Sequence, residues 1–396
     1  MPQTNNQQLT TNNQIGIIGS GAMGAGIAQV AATAGHQVIV FDTDQNALKR
    51  AKVNLESTLK KLVEKQKLTQ SQADNIISST SYANELSQFK GCGLVIEAIV
   101  EILEVKQKLF SELETVVSDQ CILASNTSSL SIASIASACR KSERVIGIHF
   151  FNPAPIMPLV EIIPSVLTDE KITVESKKII DSWGKLTVLA KDTPGFIVNR
   201  VARSFYGESI RIYEEGMADF ATIDWAMKTF GGFKMGPFEL MDFIGNDINY
   251  KVTESVWTQF FYESRFKPSL TQKRLFEAKL FGRKSGRGYY HYSEGAATPE
   301  PNTNKDLGEY IFNRVIAMLI NEAVDSFYLK LASRDDLDLA MVKGVNYPKG
   351  LLKWADEIGL QNVYNTLDVL YELYNEERYR PCILMKMMIK DNKKFY

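Results

Sequence analysis

The sequence predicts an α/β domain followed by two consecutive all-α domains. Three observations lead to this fold class: a glycine-rich turn directly after a short apolar strand, further apolar strands separated by helical stretches, and a helical second half that repeats itself. A strand, a glycine-rich turn and a helix in this order are typical of Rossmann-type dinucleotide-binding domains. We predict a polar tail, a dinucleotide-binding domain, a first helical domain, a linker and a second helical domain over residues 1–13, 14–191, 192–290, 291–306 and 307–396.

Composition narrows the class of protein. The chain has 396 residues, of which 45% are hydrophobic and 23% are charged, and its net charge is −1. These values suit a globular protein of two or three domains that binds neither nucleic acid nor membrane. The tail lacks the basic start and apolar core of a secretory signal. The four cysteines have no zinc-ligand spacing, so we expect no metal site and a cytoplasmic protein with reduced thiols.

The glycine-rich turn carries the cofactor prediction. After the strand "IGII" the chain reads "GSGAMGAG", in which Gly19, Gly21 and Gly24 form the G-x-G-x-x-G pattern around Met23. The glycines allow a tight turn and a close approach of pyrophosphate to the helix N-terminus. A second strand, "HQVIVFD", ends in Asp42, 23 residues after Gly19. Its carboxylate would bind the ribose hydroxyls and repel a 2′-phosphate, so NAD is favoured over NADP.

Polar residues follow two further strands of the first domain. A charged helical stretch is predicted from Gln45 to about Asn84, and residues 93–100 then form a buried strand with Glu97 and Glu101 near its end. The next strand leads into "SNTSSL", which includes Asn126 and Ser128. Parallel sheets place ligands at this edge, so these side chains are candidate ligand contacts. One of the serines could instead cap a helix.

A histidine and a glutamate flank a proline-rich turn in "VIGIHFFNPAPIMPLVEII", residues 145–163. The prolines exclude a helix, and a hairpin centred on Pro155 places His149 opposite Glu161. Two ionisable groups facing each other among apolar neighbours indicate a proton-handling pair. A core histidine satisfied by a carboxylate is the alternative that this stretch alone leaves open.

Five motifs in order, "GSGAMGAGIA", "VIEAIVE", "SNTSSL", "HFFNPAPIMPLVEII" and "DTPGFIVNR", resemble the L-3-hydroxyacyl-CoA dehydrogenases over residues 14–290. The resemblance implies a catalytic His149–Glu161 dyad supported by Ser128 and Asn199. It also implies Asn152 as a substrate-side group and Glu101 near the nicotinamide. The residues assigned to the cofactor are Gly19, Gly21, Met23, Gly24, Asp42, Glu101 and Asn126; those assigned to the substrate are Ser128, Asn152 and Asn199.

The expected function is the reversible, NAD-dependent oxidation of an L-3-hydroxyacyl-CoA thioester to the 3-ketoacyl-CoA. Two alternatives remain. A dehydrogenase of free sugar acids, resembling L-gulonate dehydrogenases, shares the His–Glu pair. A non-catalytic nucleotide-binding protein would be expected to lack one of the four catalytic groups, and none is missing.

The helical half contains an internal repeat with a constant offset of 114 residues. The matched pairs are Asn199 with Asn313, Glu208 with Glu322, Asp224 with Asp338, Gly236 with Gly350 and Asp242 with Asp356. Such regularity indicates a duplication. We expect the second copy to pack on the first within one chain, as the two subunits of shorter relatives pair, and the protein to be mainly monomeric.

Overall fold

The computed structural model describes residues 14–396, and the predicted polar tail lies outside them. The chain forms two compact units, divided between Thr187 and Val188. The first is an α/β unit and the second is helical, as the sequence predicts. Within residues 14–396, no helix is long and apolar enough to cross a membrane.

The first unit is built on an eight-stranded sheet with the order β3-β2-β1-β4-β5-β6-β7-β8. The strands are β1 Gln14–Ile18, β2 Gln37–Phe41, β3 Thr80–Ala83, β4 Leu94–Glu97, β5 Ile122–Ser125, β6 Val145–Phe150, β7 Leu159–Ile163 and β8 Leu186–Leu189. The helices are α1 Ala22–Thr33, α2 Gln45–Glu64, α3 Gln70–Ser78, α4 Leu103–Val116, α5 Ile132–Ala136 and α6 Glu170–Ser182. Strand β1 pairs in parallel with both β2 and β4. The order in which strands are added to the sheet therefore reverses at β1, with β2 and β3 on one side and β4 onwards on the other. Ligands bind at such a switch point in parallel sheets.

The helical stretch predicted from Gln45 to about Asn84 is confirmed over α2 and α3 and is wrong at its end. It contains α2, α3 and the edge strand β3, which pairs in parallel with β2. The first helix ends at Glu64, and Thr69 starts α3 by forming a capping box with Gln72. The four residues of β3 show no clear alternation, and only Ala83 is buried. Its strand conformation therefore comes from pairing with β2, a partner distant in sequence.

The proline-rich turn joins β6 and β7 as an antiparallel pair, and His149 lies directly opposite Glu161. This register confirms the one predicted from the sequence. The ammonium group of Lys185 donates to the carbonyl oxygens of Ala154 and Met157, at 2.6 and 2.9 Å, and so stabilises the turn. Burial lowers the pKa of Lys185.

The second unit contains the two copies of the helical repeat. The first copy consists of α7 Val198–Val201, α8 Arg203–Glu214, α9 Phe220–Gly231, α10 Pro237–Ile244, α11 Asn246–Gln259 and α12 Leu270–Glu277. The second consists of α13 Lys305–Tyr328, α14 Arg334–Gly344, α15 Leu351–Ile358, α16 Leu360–Tyr374 and α17 Ile383–Lys390. Helices α9, α10 and α11 start 114 residues before α14, α15 and α16. The long helix α13 corresponds to the broken pair α7 and α8.

Equivalent carboxylates cap equivalent helices in the two copies. Asp224 accepts from the backbone N–H groups of Phe238 and Glu239 at the start of α10. Asp338 accepts in the same way from Leu352 and Lys353 at the start of α15, each 114 residues later. Burial raises the pKa of Asp224 to about 7, although these hydrogen bonds oppose the shift. The repeat therefore extends from the sequence to individual hydrogen bonds.

The two copies are joined by a pair of crossed ion pairs. Arg314 of the second copy donates to Glu208 of the first at 2.5 Å. The equivalent residues exchange roles, because Arg200 of the first copy donates to Glu322 of the second at 2.5 Å. All four side chains are almost fully buried. In a two-fold interface, each contact between the two copies recurs with the roles of the copies reversed. The crossed ion pairs have this pattern, so the two copies form a two-fold interface within one chain.

We expect Arg314→Met to lower the free energy of unfolding of the helical unit by about 3–5 kcal/mol, because it leaves the buried Glu208 carboxylate without its cation. Denaturant unfolding followed by circular dichroism measures this cost. Arg274→Met is the matched control, since Arg274 forms an exposed ion pair with Glu277 and should cost under about 1 kcal/mol. Equal losses in both variants would contradict the role given to the crossed pairs.

Candidate active site

The glycine turn between β1 and α1 has the geometry that dinucleotide binding requires. Gly19 has φ of 99°, a left-handed conformation that favours glycine. A Cβ atom on Gly24 would lie 1.8 Å from the carbonyl oxygen of Gly19, so the helix can approach the turn only without a side chain there. A Cβ on Gly21 would meet nothing within 4 Å. The backbone at the start of α1 is thus open to a pyrophosphate.

The carboxylate of Asp42 faces this turn from the end of β2. One oxygen accepts from the Ser20 backbone N–H and hydroxyl, at 2.7 and 2.8 Å, and the other accepts from the Asp44 N–H at 3.0 Å. Asp42 also lines a cavity of about 470 Å³ with apolar walls that include Ile99 and Val100. The lining also contains Lys108 and Glu112. A largely apolar cavity beside the fixed carboxylate of Asp42 suits an adenosine with free ribose hydroxyls.

A buried network of charges lies at the ends of β4 and β5. The ammonium group of Lys106, 1% exposed, contacts Glu97 at 2.5 Å and Glu101 at 3.3 Å. Glu97, itself fully buried, also accepts from the Ser125 hydroxyl at 2.7 Å and from the Ile99 N–H at 2.7 Å. Every oxygen of Glu97 is therefore satisfied, which a buried carboxylate requires.

Glu101 binds the loop after β5. Its Oε1 accepts from the Thr127 hydroxyl at 2.5 Å, the Ser128 N–H at 3.1 Å and the Ser129 N–H at 3.2 Å. Burial raises its pKa, but the charge of Lys106 and the hydroxyl hydrogen bonds outweigh that effect and leave the pKa below its ordinary value. An ionised Glu101 thus fixes the backbone that carries Ser128.

The histidine–glutamate pair is formed and buried. His149 Nδ1 lies 2.7 Å from Glu161 Oε2, and the exposed fractions of the two side chains are 7% and 0%. The His149 ring also packs against Phe151, with 4.6 Å between ring centroids. With Nδ1 engaged by the carboxylate, proton transfer to or from a substrate is assigned to the other ring nitrogen, Nε2.

The remaining predicted residues occupy different environments. Asn126 accepts from the Phe150 N–H through its side-chain oxygen at 2.8 Å, so it ties the end of β5 to β6 beside His149. Asn152 is exposed in the turn after β6. Met23 packs partly into the apolar core of the first unit. Asn199 lies in α7 of the second unit, where its carbonyl oxygen accepts from Arg203 Nε at 2.8 Å.

Sequence reasoning missed Lys106, although it connects Glu97 with Glu101. A signal was available. Lys106, Phe110 and Leu113 recur at helical spacing on the buried face of α4, and a lysine on an apolar face requires a carboxylate partner.

Comparison with known proteins agrees with this geometry. The NAD binding domain of 3-hydroxyacyl-CoA dehydrogenase matches residues 14–193, and the C-terminal domain of the same enzymes matches twice, over residues 195–292 and 310–394. The 3-hydroxyadipyl-CoA dehydrogenase of Escherichia coli K12 is 36% identical over 94% of this chain and 96% of its own length.

Two further relatives extend the comparison. Human mitochondrial hydroxyacyl-coenzyme A dehydrogenase is 41% identical and covers 70% of this chain and 90% of its own. The crystal structure of 3-hydroxybutyryl-CoA dehydrogenase from Escherichia coli K12 is 36% identical and has a TM-score of 0.89, with coverage of 94% of this chain and 97% of that one. The chain therefore belongs to the 3-hydroxyacyl-CoA dehydrogenase family.

Proposed function

We propose that this protein oxidises the C3 hydroxyl of an L-3-hydroxyacyl-CoA thioester to a ketone with NAD, and catalyses the reverse reduction. The observation that carries the proposal is the buried His149–Glu161 pair at 2.7 Å in an NAD-binding domain. The relatives are named for the same thioester class but for different acyl groups, 3-hydroxyadipyl in one and 3-hydroxybutyryl in another.

His149 is the general base in this proposal. NAD held at the glycine turn and Asp42 would supply the acceptor for the hydride that leaves C3. The hydroxyl proton must leave the same carbon's oxygen, and His149 Nε2 takes it while Nδ1 stays hydrogen-bonded to Glu161. The carboxylate holds the ring orientation and stabilises the imidazolium that forms in a buried site. In reduction the imidazolium returns the proton to the ketone oxygen.

Further polar groups are assigned to the substrate on the family resemblance. We assign Ser128 and Asn199 to the substrate oxygens, where their hydrogen bonds stabilise the charge that develops on O3. The clamp of Glu101 on the Ser128 backbone would hold this residue in place before substrate arrives. Asn152 is assigned to the substrate, and Asn126 and Met23 to the cofactor, on the family resemblance alone.

His149→Gln should lower kcat by roughly 10²- to 10⁴-fold, which is the usual contribution of a positioned general base. The dissociation constant for NAD should stay close to that of the wild type, because His149 is not among the proposed cofactor ligands. Stopped-flow NADH absorbance and NAD titration measure the two quantities. His291→Gln, an exposed histidine, is the control. A variant within tenfold of wild-type kcat would remove His149 from the mechanism.

Asp42→Arg should shift the preference from NAD towards NADP, because a cation that binds the 2′-phosphate replaces a carboxylate that repels it. Competitive titration with both cofactors measures the ratio of their dissociation constants. Asp44→Arg is the control, since Asp44 is exposed and caps α2. An unchanged ratio in Asp42→Arg would place the ribose elsewhere.

We further propose a mainly monomeric protein in the cytoplasm. The four cysteines are buried and free, as suits a reducing compartment. The crossed ion pairs of Arg200 and Arg314 bury one face of the first helical copy against the second copy. A linker within the chain keeps the partner face at high effective concentration, so pairing between chains at this face is disfavoured.

Multi-angle light scattering of the full chain should give a mass near the 44.5 kDa of one chain. A stable dimer would not by itself contradict the internal pairing, so its interface must be mapped by crosslinking. Crosslinks between chains through α8 and α13 would show that the two copies pair between molecules and would refute the proposal.

A further inference from the structure

One buried cation of the helical unit has no carboxylate partner. Arg203 is the first residue of α8, and only 7% of its surface is exposed. Its Nε donates to the Asn199 carbonyl oxygen at 2.8 Å, and Nη1 donates to the Thr253 hydroxyl at 3.1 Å and weakly to the Asn249 carbonyl oxygen at 3.4 Å. Within residues 14–396, no acidic group lies within ion-pair distance, and Nη2 donates no hydrogen bond.

A buried arginine without a carboxylate partner lowers the stability of the folded chain. Burial lowers the pKa of Arg203, and electrostatic interaction with Tyr206 and Tyr347 opposes this shift. The guanidinium also lies over the Tyr206 ring, 4.9 Å from its centroid. A buried guanidinium is normally paired with a carboxylate, as Arg200 and Arg314 are in this same unit. Arg203 is the exception, and a buried charge left unpaired in the protein alone indicates a site for an anion.

The second helical copy shows that the fold does not need this polar cluster. Around Arg203 lie three more buried polar residues, Asn249, Thr253 and Gln272, and the Gln272 amide donates to both of the others. The equivalent positions of the second copy are Ala317, Val363, Leu367 and Met385, at offsets of 114 or, for the last, 113 residues, and all are buried and apolar. The same helices therefore pack with an apolar core, so the polar cluster of the first copy serves another purpose.

We propose that Arg203 determines substrate specificity by binding a carboxylate at the far end of the acyl group. The inference rests on the proposed function, in which Asn199 contacts the substrate. Arg203 follows Asn199 by four residues, and its Nε donates to the Asn199 carbonyl oxygen at 2.8 Å. A short dicarboxylic 3-hydroxyacyl group with its reacting end at Asn199 extends to Nη2, whose two N–H groups are suited to a carboxylate oxygen.

Two thioesters with six-carbon acyl groups test the proposal on the wild-type protein. L-3-Hydroxyadipyl-CoA and L-3-hydroxyhexanoyl-CoA differ only at the terminal carbon, which is a carboxylate in the first and a methyl group in the second. A charge-assisted hydrogen bond should favour the dicarboxylic thioester by roughly 10- to 100-fold in kcat/KM. The ω-methyl ester of the adipyl substrate removes the charge without any change in the protein and should lose this advantage. Equal kcat/KM for all three substrates would overturn the role of Arg203.

Variants then assign the preference to the residue. Arg203→Met should bring the ratio of the two kcat/KM values close to one, and Arg203→Lys should retain part of it. A purely structural brace on Asn199 predicts a different result, in which both substrates lose activity equally and the ratio is unchanged. Arg380→Met, which removes an exposed arginine, is the control and should keep the wild-type ratio.

The outcomes separate this inference from the proposed function. Oxidation of both thioesters with no preference for the carboxylate leaves the dehydrogenase function intact and removes only the role of Arg203. Wild-type protein that reduces NAD with neither thioester removes the proposed function, and the inference with it. If Arg203→Met does not fold, the methyl ester comparison on the wild type still decides the question.

Discussion

The ammonium group of Lys106 stabilises the edge of the first unit's sheet where β4 and β5 end, the edge to which the cofactor is assigned. A buried ammonium is stable only with carboxylate partners, and Lys106 has two, Glu97 and Glu101. Glu97 fixes the end of β4 against Ser125, and Glu101 holds the loop that carries Ser128. Removal of the one cation would therefore leave two carboxylates near each other and loosen both strand ends. The edge is ordered by internal electrostatics before any ligand is bound, which is the preorganisation that hydride and proton transfer require.

The helical unit follows the same rule about buried charge, with one departure. Arg200 and Arg314 each meet a buried glutamate of the other copy, and Arg265 adds a second cation at Glu322. These pairs are needed because two copies of one fold bring the same polar side chains to their common face. Arg203 lies in the same unit and has only neutral acceptors. Because the other buried arginines of this unit have carboxylate partners, the lack of such a partner at Arg203 is stronger evidence for an anion site than its burial alone.

The sequence predicts contacts best where the chain itself fixes the geometry. His149 and Glu161 are equidistant from Pro155, so an antiparallel pair places them opposite each other whatever the rest of the fold does. Asp42 and the glycine turn were predictable because β1, α1 and β2 are consecutive. Strand β3 and the partners of Lys106 were not, since a four-residue edge strand and a buried lysine obtain their environment from segments distant in sequence. Propensity and periodicity carry no information about such partners.

The duplication separates folding constraints from functional ones inside a single molecule. Where the copies agree in buried polar residues, as at Asp224 and Asp338, the shared hydrogen bonds show that the fold itself requires the group. Where they differ, as at Arg203 and Ala317, the second copy shows that an apolar residue satisfies the same packing. Only the first copy has this polar cluster, which agrees with the substrate-binding role proposed for Arg203. The second copy has apolar side chains at all four equivalent positions.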